Sequence, residues 1–266
     1  MKHKTSGNSA VSRALAVIER VAQAERPPTL AELGEALALP KATVHRIALT
    51  LEQQGMLLRE PGGKRFSIGH RFASLAVDTL RNSPRRGMRR AIMQRLVDEI
   101  GETCNFTMLD GNHVVYIDRV EAHWPLRLHL QPGSRVPLHC TASGKLFLSH
   151  LRATARQRLL SALKLERHTV NTITDRRKLE RELDKIRTQK VGTDNEEFLD
   201  GLVAVAVPVT DAHNRICAAL AVHGPTARLS FEQALGHLPK LHAAAAELAA
   251  TLDSDASSPR SRRKSR

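Results

Sequence analysis

The apolar positions of this chain follow a helical rhythm first and a mixed one later. Beyond a polar opening at residues 1–8, Val11, Leu15, Ile18 and Val21 recur at three- and four-residue steps. That spacing predicts an amphipathic helix ending before Pro27-Pro28. Thr29 with Glu32 three positions on is a capping-box pattern, opening a second helix with Leu30, Leu33 and Leu37. Pro40 breaks it. A third helix aligns Val44, Ile47, Ala48 and Leu51 and ends at Gly55, a residue suited to a left-handed cap. Two β-rich runs, 56–59 and 65–68, flank Pro61-Gly62-Gly63 and predict a hairpin. Three helices followed by a two-stranded wing is the order of a winged helix-turn-helix.

Residues 70–80 are helical again, with Phe72, Leu75, Ala76 and Leu80 in phase, until Asn82-Ser83-Pro84 breaks the chain. A long helix to Gly101 places Met88, Ile92, Leu96 and Ile100 at four-residue steps. Runs 103–109 and 114–120 flank Asp110-Gly111-Asn112, a strong hairpin signal. Leu126, Leu128 and Leu130 alternate with Arg127, His129 and Gln131, predicting a half-buried strand that ends at Pro132-Gly133. Helices are expected at 142–150, 153–163 and 175–189, strands at 202–209 and 216–222, and an Ala-rich helix at 231–252. Helices at both ends with strands between them predict an α+β domain on a mostly antiparallel sheet. The expected organisation is a winged helix-turn-helix at 9–69, a linker helix at 70–83, a larger domain at 84–253 and a disordered basic tail at 254–266.

With 41% apolar and 26% charged residues the composition is that of an ordinary globular protein. No apolar run approaches membrane-spanning length, and Arg13, Glu19 and Arg20 interrupt anything resembling a signal peptide, so a cytoplasmic protein is expected. Cys104, Cys140 and Cys217 are far apart, odd in number and without a CxxC pair; reduced, mostly buried thiols are expected. The net charge of +14 changes the picture more, because it favours a polyanionic partner. Five positives crowd the last seven residues, and six arginines fall between Arg81 and Arg95. The second run reads as a solvated helix face, with DNA contact or pairing to another subunit's acids as alternatives.

Putting Val44, Ile47 and Leu51 inward turns Ala42, His45, Arg46, Leu49, Thr50 and Gln53 outward, towards a major groove. Lys41 and Thr43 lie at the helix start, where amides and side chains approach the DNA backbone. Arg46 is the best candidate for a base edge, since a guanidinium pairs with guanine at two acceptors. Lys64 and Arg65 at the wing tip are expected at phosphate or the minor groove, and Arg13 at phosphate. The outward Leu49 fits the wing, a neighbouring subunit or a thymine methyl equally.

The segment Leu39-Pro40-Lys41-Ala42-Thr43-Val44-His45-Arg46, with Leu51, Gly55 and Phe66-Ser67-Ile68-Gly69, resembles the helix-turn-helix of the IclR family of bacterial regulators. The resemblance continues through Gly101-Glu102-Thr103, residues 114–120, 137–145, 194–197 and 201–209, and Gly224-Pro225. It implies a GAF-like effector-binding domain, dimers or tetramers, a palindromic double-stranded DNA operator and a small carboxylic or aromatic acid as effector. By the same resemblance the effector pocket falls at Ala142, Ser143, Asp194, Ala204, Ala221 and His223. Ser143 at a helix start and His223 can donate to an acid, whereas Asp194 would accept. Ala204, Ala221 and His223 stand where small polar or Cys residues occur in relatives binding short keto acids, which favours an aromatic or branched acid here.

Other chemistries fit less well. Gly144-Lys145 lacks the first Gly and the Ser/Thr of a phosphate-binding loop. His139-Cys140 is a possible ligand pair, but no helical His pair or Cys cluster accompanies it, so no metal and no cofactor are expected. An enzyme would need a catalytic signature around Asp194 and His223, and none is present. A general nucleic-acid binder relying on the Arg-rich tail would show no preferred DNA sequence. Trp124 is read as core or pocket-lid packing, with effector stacking as the alternative.

Overall fold

The computed structural model describes residues 9–252 apart from 25, 84 and 125–129. Most of the strand expected about Leu126–Leu130 and the basic tail at 254–266 therefore lie outside the described residues. The chain divides into two compact units, with the boundary between Thr79 and Leu80.

The first unit contains α1 (Ala10–Gln23), α2 (Leu30–Leu37), α3 (Lys41–Gln53), β1 (Leu57–Arg59) and β2 (Phe66–Ile68), and α4 (His70–Arg81) runs on across the boundary. The capping box forms at α2. Glu32 accepts the Thr29 amide at 2.7 Å while Thr29 Oγ1 accepts the Glu32 amide at 3.3 Å. The Thr29 amide, and then Arg26, hold the Glu32 carboxyl down to about 2. Val17, Ile18 and Val21 of α1 join Leu33, Val44, Ala48, Leu51, Leu57 and Phe66 in one core. Val11 and Leu15 were expected on that stripe but are exposed, because only the second half of α1 meets the core. Leu75 of α4 is exposed as well. Arg59 of β1 donates twice to Glu52 of α3, at 2.9 and 2.6 Å, and lies 4.7 Å from the Phe66 ring centre. These contacts fix the wing against the third helix.

The second unit contains α5 (Arg86–Ile100), β3 (Thr103–Asp110), β4 (His113–Val120), β5 (Arg135–Pro137), α6 (Ala142–His150), α7 (Ala153–Ala162), α8 (Arg176–Gln189), β6 (Gly192–Asn195), β7 (Leu202–Thr210), β8 (Ile216–Pro225), α9 (Phe231–Gly236) and α10 (Leu238–Ala250). Its strands form a sheet in the order β5-β4-β3-β8-β7-β6, every neighbour antiparallel. Helices α5 and α10 cover one face and α6 and α8 the other. The single helix expected at 231–252 is two, because Pro239 sits in the first turn of α10 and cannot continue a helix from α9.

The arginine run differs from its reading as a solvated face. Arg89 is fully buried and Met88 is 59% exposed, so the apolar stripe of α5 is rotated from the expected one. The Arg89 guanidinium donates to Asp118 Oδ2 at 2.8 Å and lies 5.7 Å from the Phe106 ring centre. Arg86 donates to the other Asp118 oxygen at 3.0 Å. Arg90 reaches the Arg119 carbonyl, and Arg95 pairs with Glu247. A buried cation is tolerated only when paired, and Asp118 supplies the pair from within the same unit.

Candidate functional sites

On the first unit, Val44, Ala48 and Leu51 point inward and the opposite side of α3 is free. Lys41, Ala42, His45, Arg46 and Thr50 are exposed and Thr43 is half-buried. Thr50 returns its hydroxyl to the Arg46 carbonyl at 3.0 Å, leaving the Arg46 side chain to project. Leu49 is 40% exposed on the same side. The two wing cations part company. Lys64 is exposed at the tip, but Arg65 turns back, donating to the Pro27 carbonyl at 2.7 Å and facing Glu32 at 3.4 Å. Its β-bridge to Thr29 sets it beside the start of α2, which corrects the reading of Arg65 as a tip residue. Arg13 is half-buried on α1, with its Nε shielded and without an acceptor among the described residues.

The second unit gathers all six residues expected from the C-terminal half. Ala142, Ser143, Asp194, Ala204, Ala221 and His223 line one cavity between α6 and the sheet. The approach is close because two glycines permit it. A Cβ on Gly192 would lie 2.1 Å from the Ala142 carbonyl oxygen, and one on Gly144 would lie 2.3 Å from that of Leu138. Thr141 caps α6 by accepting the Gly144 amide at 3.3 Å, which sets Ala142 and Ser143 in the first turn, where amides have no helical partner. Free space amounts to about 30 Å³, room for one or two waters.

Sequence reading missed Asn105, Thr107 and Tyr116, which also line the cavity. Tyr116 arrives there through a bulge. Phe106 faces Asp118 but Thr107 faces Tyr116, so one extra residue of β4, Ile117, shifts the alternation. In a regular ladder Tyr116 would share the Asp118 face. Burial pushes the Tyr116 hydroxyl up to about 12.

The cavity's charge pattern is uneven. Asp194 accepts the amides of Glu197 at 2.8 Å and Phe198 at 3.3 Å, yet burial, with Glu197 beside it, lifts its carboxyl to about 7. His223 is held neutral, its pKa pushed down to about 3 by burial and by Arg119. Lys145 is fully buried and ion-paired with Glu197, so its ammonium is a structural charge. Trp124 is absent from the cavity wall, against its reading as a lid or stacking surface. It is 44% exposed, donates to the Gly101 carbonyl at 2.8 Å and carries Arg228 over its ring at 4.8 Å. Cys104 and Cys140 are buried and Cys217 half-buried. His168 joins His139 and Cys140, their candidate ligand atoms all within 4.8 Å of one another. Burial raises the Cys140 thiol, and the His139 Nε2 sits 2.9 Å from the Glu166 carbonyl oxygen.

Residues 10–61 match the family profile described as the IclR helix-turn-helix domain, and residues 78–250 match that of the bacterial transcriptional regulator IclR C-terminal domain. The chain belongs to the IclR family. It is similar to a probable transcriptional regulator, SauR, of Cupriavidus necator, at 48% identity over 92% of this chain and 97% of the relative. Its fold is similar to the crystal structure of Thermotoga maritima IclR, with a TM-score of 0.61 at 27% identity over 91% of this chain and 98% of that one. An IclR homologue from Microbacterium hydrocarbonoxydans, solved with 4-hydroxybenzoate, matches at a TM-score of 0.57 and 25% identity over 92% of this chain and 99% of that one. The family's members are transcription regulators and not enzymes. No helix among the described residues of this regulator is long and apolar enough to cross a membrane.

Proposed function

We propose that this regulator binds a specific DNA operator through α3 and the wing, and that a small acid in the cavity of the second unit modulates that binding. The observation that carries the first half is the exposed row Lys41, Ala42, His45, Arg46 and Thr50 on a helix whose other side is core. Thr43 and Lys64 flank that row, Arg13 reaches phosphate from α1, and Arg65 acts by bracing the wing. Support for the second half is the convergence of Ala142, Ser143, Asp194, Ala204, Ala221 and His223 on one cavity, together with the hydroxybenzoate held by a solved relative. The regulator works in the cytoplasm as a homodimer or tetramer on a palindromic site, matching protein symmetry to operator symmetry. Effector binding shifts the population between two packings of the second unit, and α4 is the covalent route to the first.

Selection of binding sequences from random duplex DNA by the full-length protein supplies the operator. Arg46→Ala should then weaken binding to that sequence by about 5- to 150-fold, the range of a bidentate base contact. Binding to unrelated DNA and acid-induced thermal stabilisation should stay unchanged. Equal loss on all sequences would reduce Arg46 to a phosphate contact, and an unchanged gel shift would refute the orientation of α3.

A further inference from the structure

Two side chains on the cavity's sheet wall, Asn105 and His223, form with Arg119 behind them a triangle that cannot be satisfied from within. Arg119 stands opposite Asn105 across β4 and β3, and Asn105 stands opposite Ala221 across β3 and β8, two residues before His223. All three are buried. Arg119 Nη1 lies 2.9 Å from Asn105 Oδ1 and 3.3 Å from His223 Nε2, while Asn105 Nδ2 lies 3.3 Å from His223 Nδ1. A guanidinium only donates, and a neutral imidazole has one lone pair. If Nε2 accepts from Arg119, Nδ1 carries a proton and faces the Asn105 amide hydrogens. If Nδ1 accepts, Nε2–H faces Arg119. Turning the Asn105 amide over moves the conflict to the Arg119 contact. In every arrangement at most two of the three contacts are hydrogen bonds, and one buried N–H is left without an acceptor, which is costly.

Asn105 and His223 both line the cavity, as does Ser143, whose hydroxyl has no hydrogen-bond partner among the described residues although the residue is buried. We propose that Asn105 and His223, positioned by Arg119, form an oxyanion-recognising end of the effector pocket. The effector is then an acid with acceptor oxygens at both ends, one for this triangle and one for Ser143 and the first turn of α6. This rests on the effector reading above and narrows it. The excess N–H supplies the specificity, since an oxygen placed there restores the missing hydrogen bond.

The test measures thermal stabilisation and calorimetric binding of the full-length protein with oxalate, malonate, succinate and 4-hydroxybenzoate, set against acetate, butyrate and benzoate at millimolar concentrations. At least one two-ended acid should bind more tightly than every other probe. Asn105→Asp keeps an oxygen for Arg119 but removes the donor, and His223→Phe removes the imidazole. Each should weaken that acid at least about 10-fold, the cost of one hydrogen bond to a charged group. His223→Gln retains a side-chain N–H and should stay within about threefold, a difference below the 1.4 kcal/mol that makes a tenfold change. Near-UV circular dichroism of the ligand-free variants reports their folding, and the order of affinities in the unmodified protein decides the matter if a variant is unfolded. Preference for a one-ended acid, or binding unchanged in Asn105→Asp, overturns this proposal and leaves the effector reading standing. No response to any acid overturns both.

Discussion

Asp118→Ala probes the arginine buried beneath the sheet. The Arg89 side chain is 1% exposed and that of Asp118 is shielded completely, with 2.8 Å between Nε and Oδ2. Two charges about 4 Å apart attract by about 4 kcal/mol at an effective dielectric of 20. Measured losses on removing one partner of a buried pair are similar, about 3–5 kcal/mol. Arg86 also loses its carboxylate, but its side chain is 43% exposed and water replaces most of that contact. A loss of about 4 kcal/mol should lower the unfolding midpoint of the second unit by about 8–16 °C, at 2–4 °C per kcal/mol for a domain of this size. Circular dichroism during thermal unfolding measures it. The double variant Arg89→Met with Asp118→Leu removes both charges and should recover most of the loss, because the penalty is the orphaned cation and not the missing contact. A drop below about 3 °C for Asp118→Ala would refute the reasoning, as would a double variant no more stable than the single.

Two further outcomes are expected. Gly192→Ala places a methyl 2.1 Å from the Ala142 carbonyl oxygen, so α6 must move and the cavity deforms; acid-induced stabilisation should disappear, with about 1–3 kcal/mol of stability lost to overpacking, and retained stabilisation would show that the helix start does not shape the pocket. Asp194 has a folded pKa of about 7 against 3.8 as its ordinary value, so the stability that its neutral form contributes is full below pH 4 and is lost as pH rises to about 7. The unfolding midpoint of the second unit, compared with that of Asp194→Asn, should therefore decline between pH 4 and pH 7, and parallel pH profiles would count against this.

Local patterns carried much of this fold. Capping at Thr29, the turn at Gly111 and the inward stripe of α3 each follow from neighbours within four residues, so the sequence displays them directly. The exposed side of α3 came with its stripe. Arg89 was hidden because its partner lies 29 positions away on another element, and a periodicity count treats any arginine as surface. Asn105 and Thr107 were hidden for a different reason. Both faces of β3 are covered, so no polar alternation marks which side faces the cavity. Strand β6 escaped because Gly, Asp and Asn make up most of its four residues and read as a turn. Pro239 was a visible signal, outweighed by the alanines that follow it.

Asp118 and Arg119 are consecutive on β4, and a pleated strand sends them to opposite sides of the sheet. One is tied to the opening turns of α5 through Arg86 and Arg89, and the other to the cavity wall through Asn105 and His223. A single peptide bond therefore joins the two polar clusters. The Arg119 side of that bond faces the cavity's Asn105 and His223, and the Asp118 side holds α5, the helix that follows α4 in the chain.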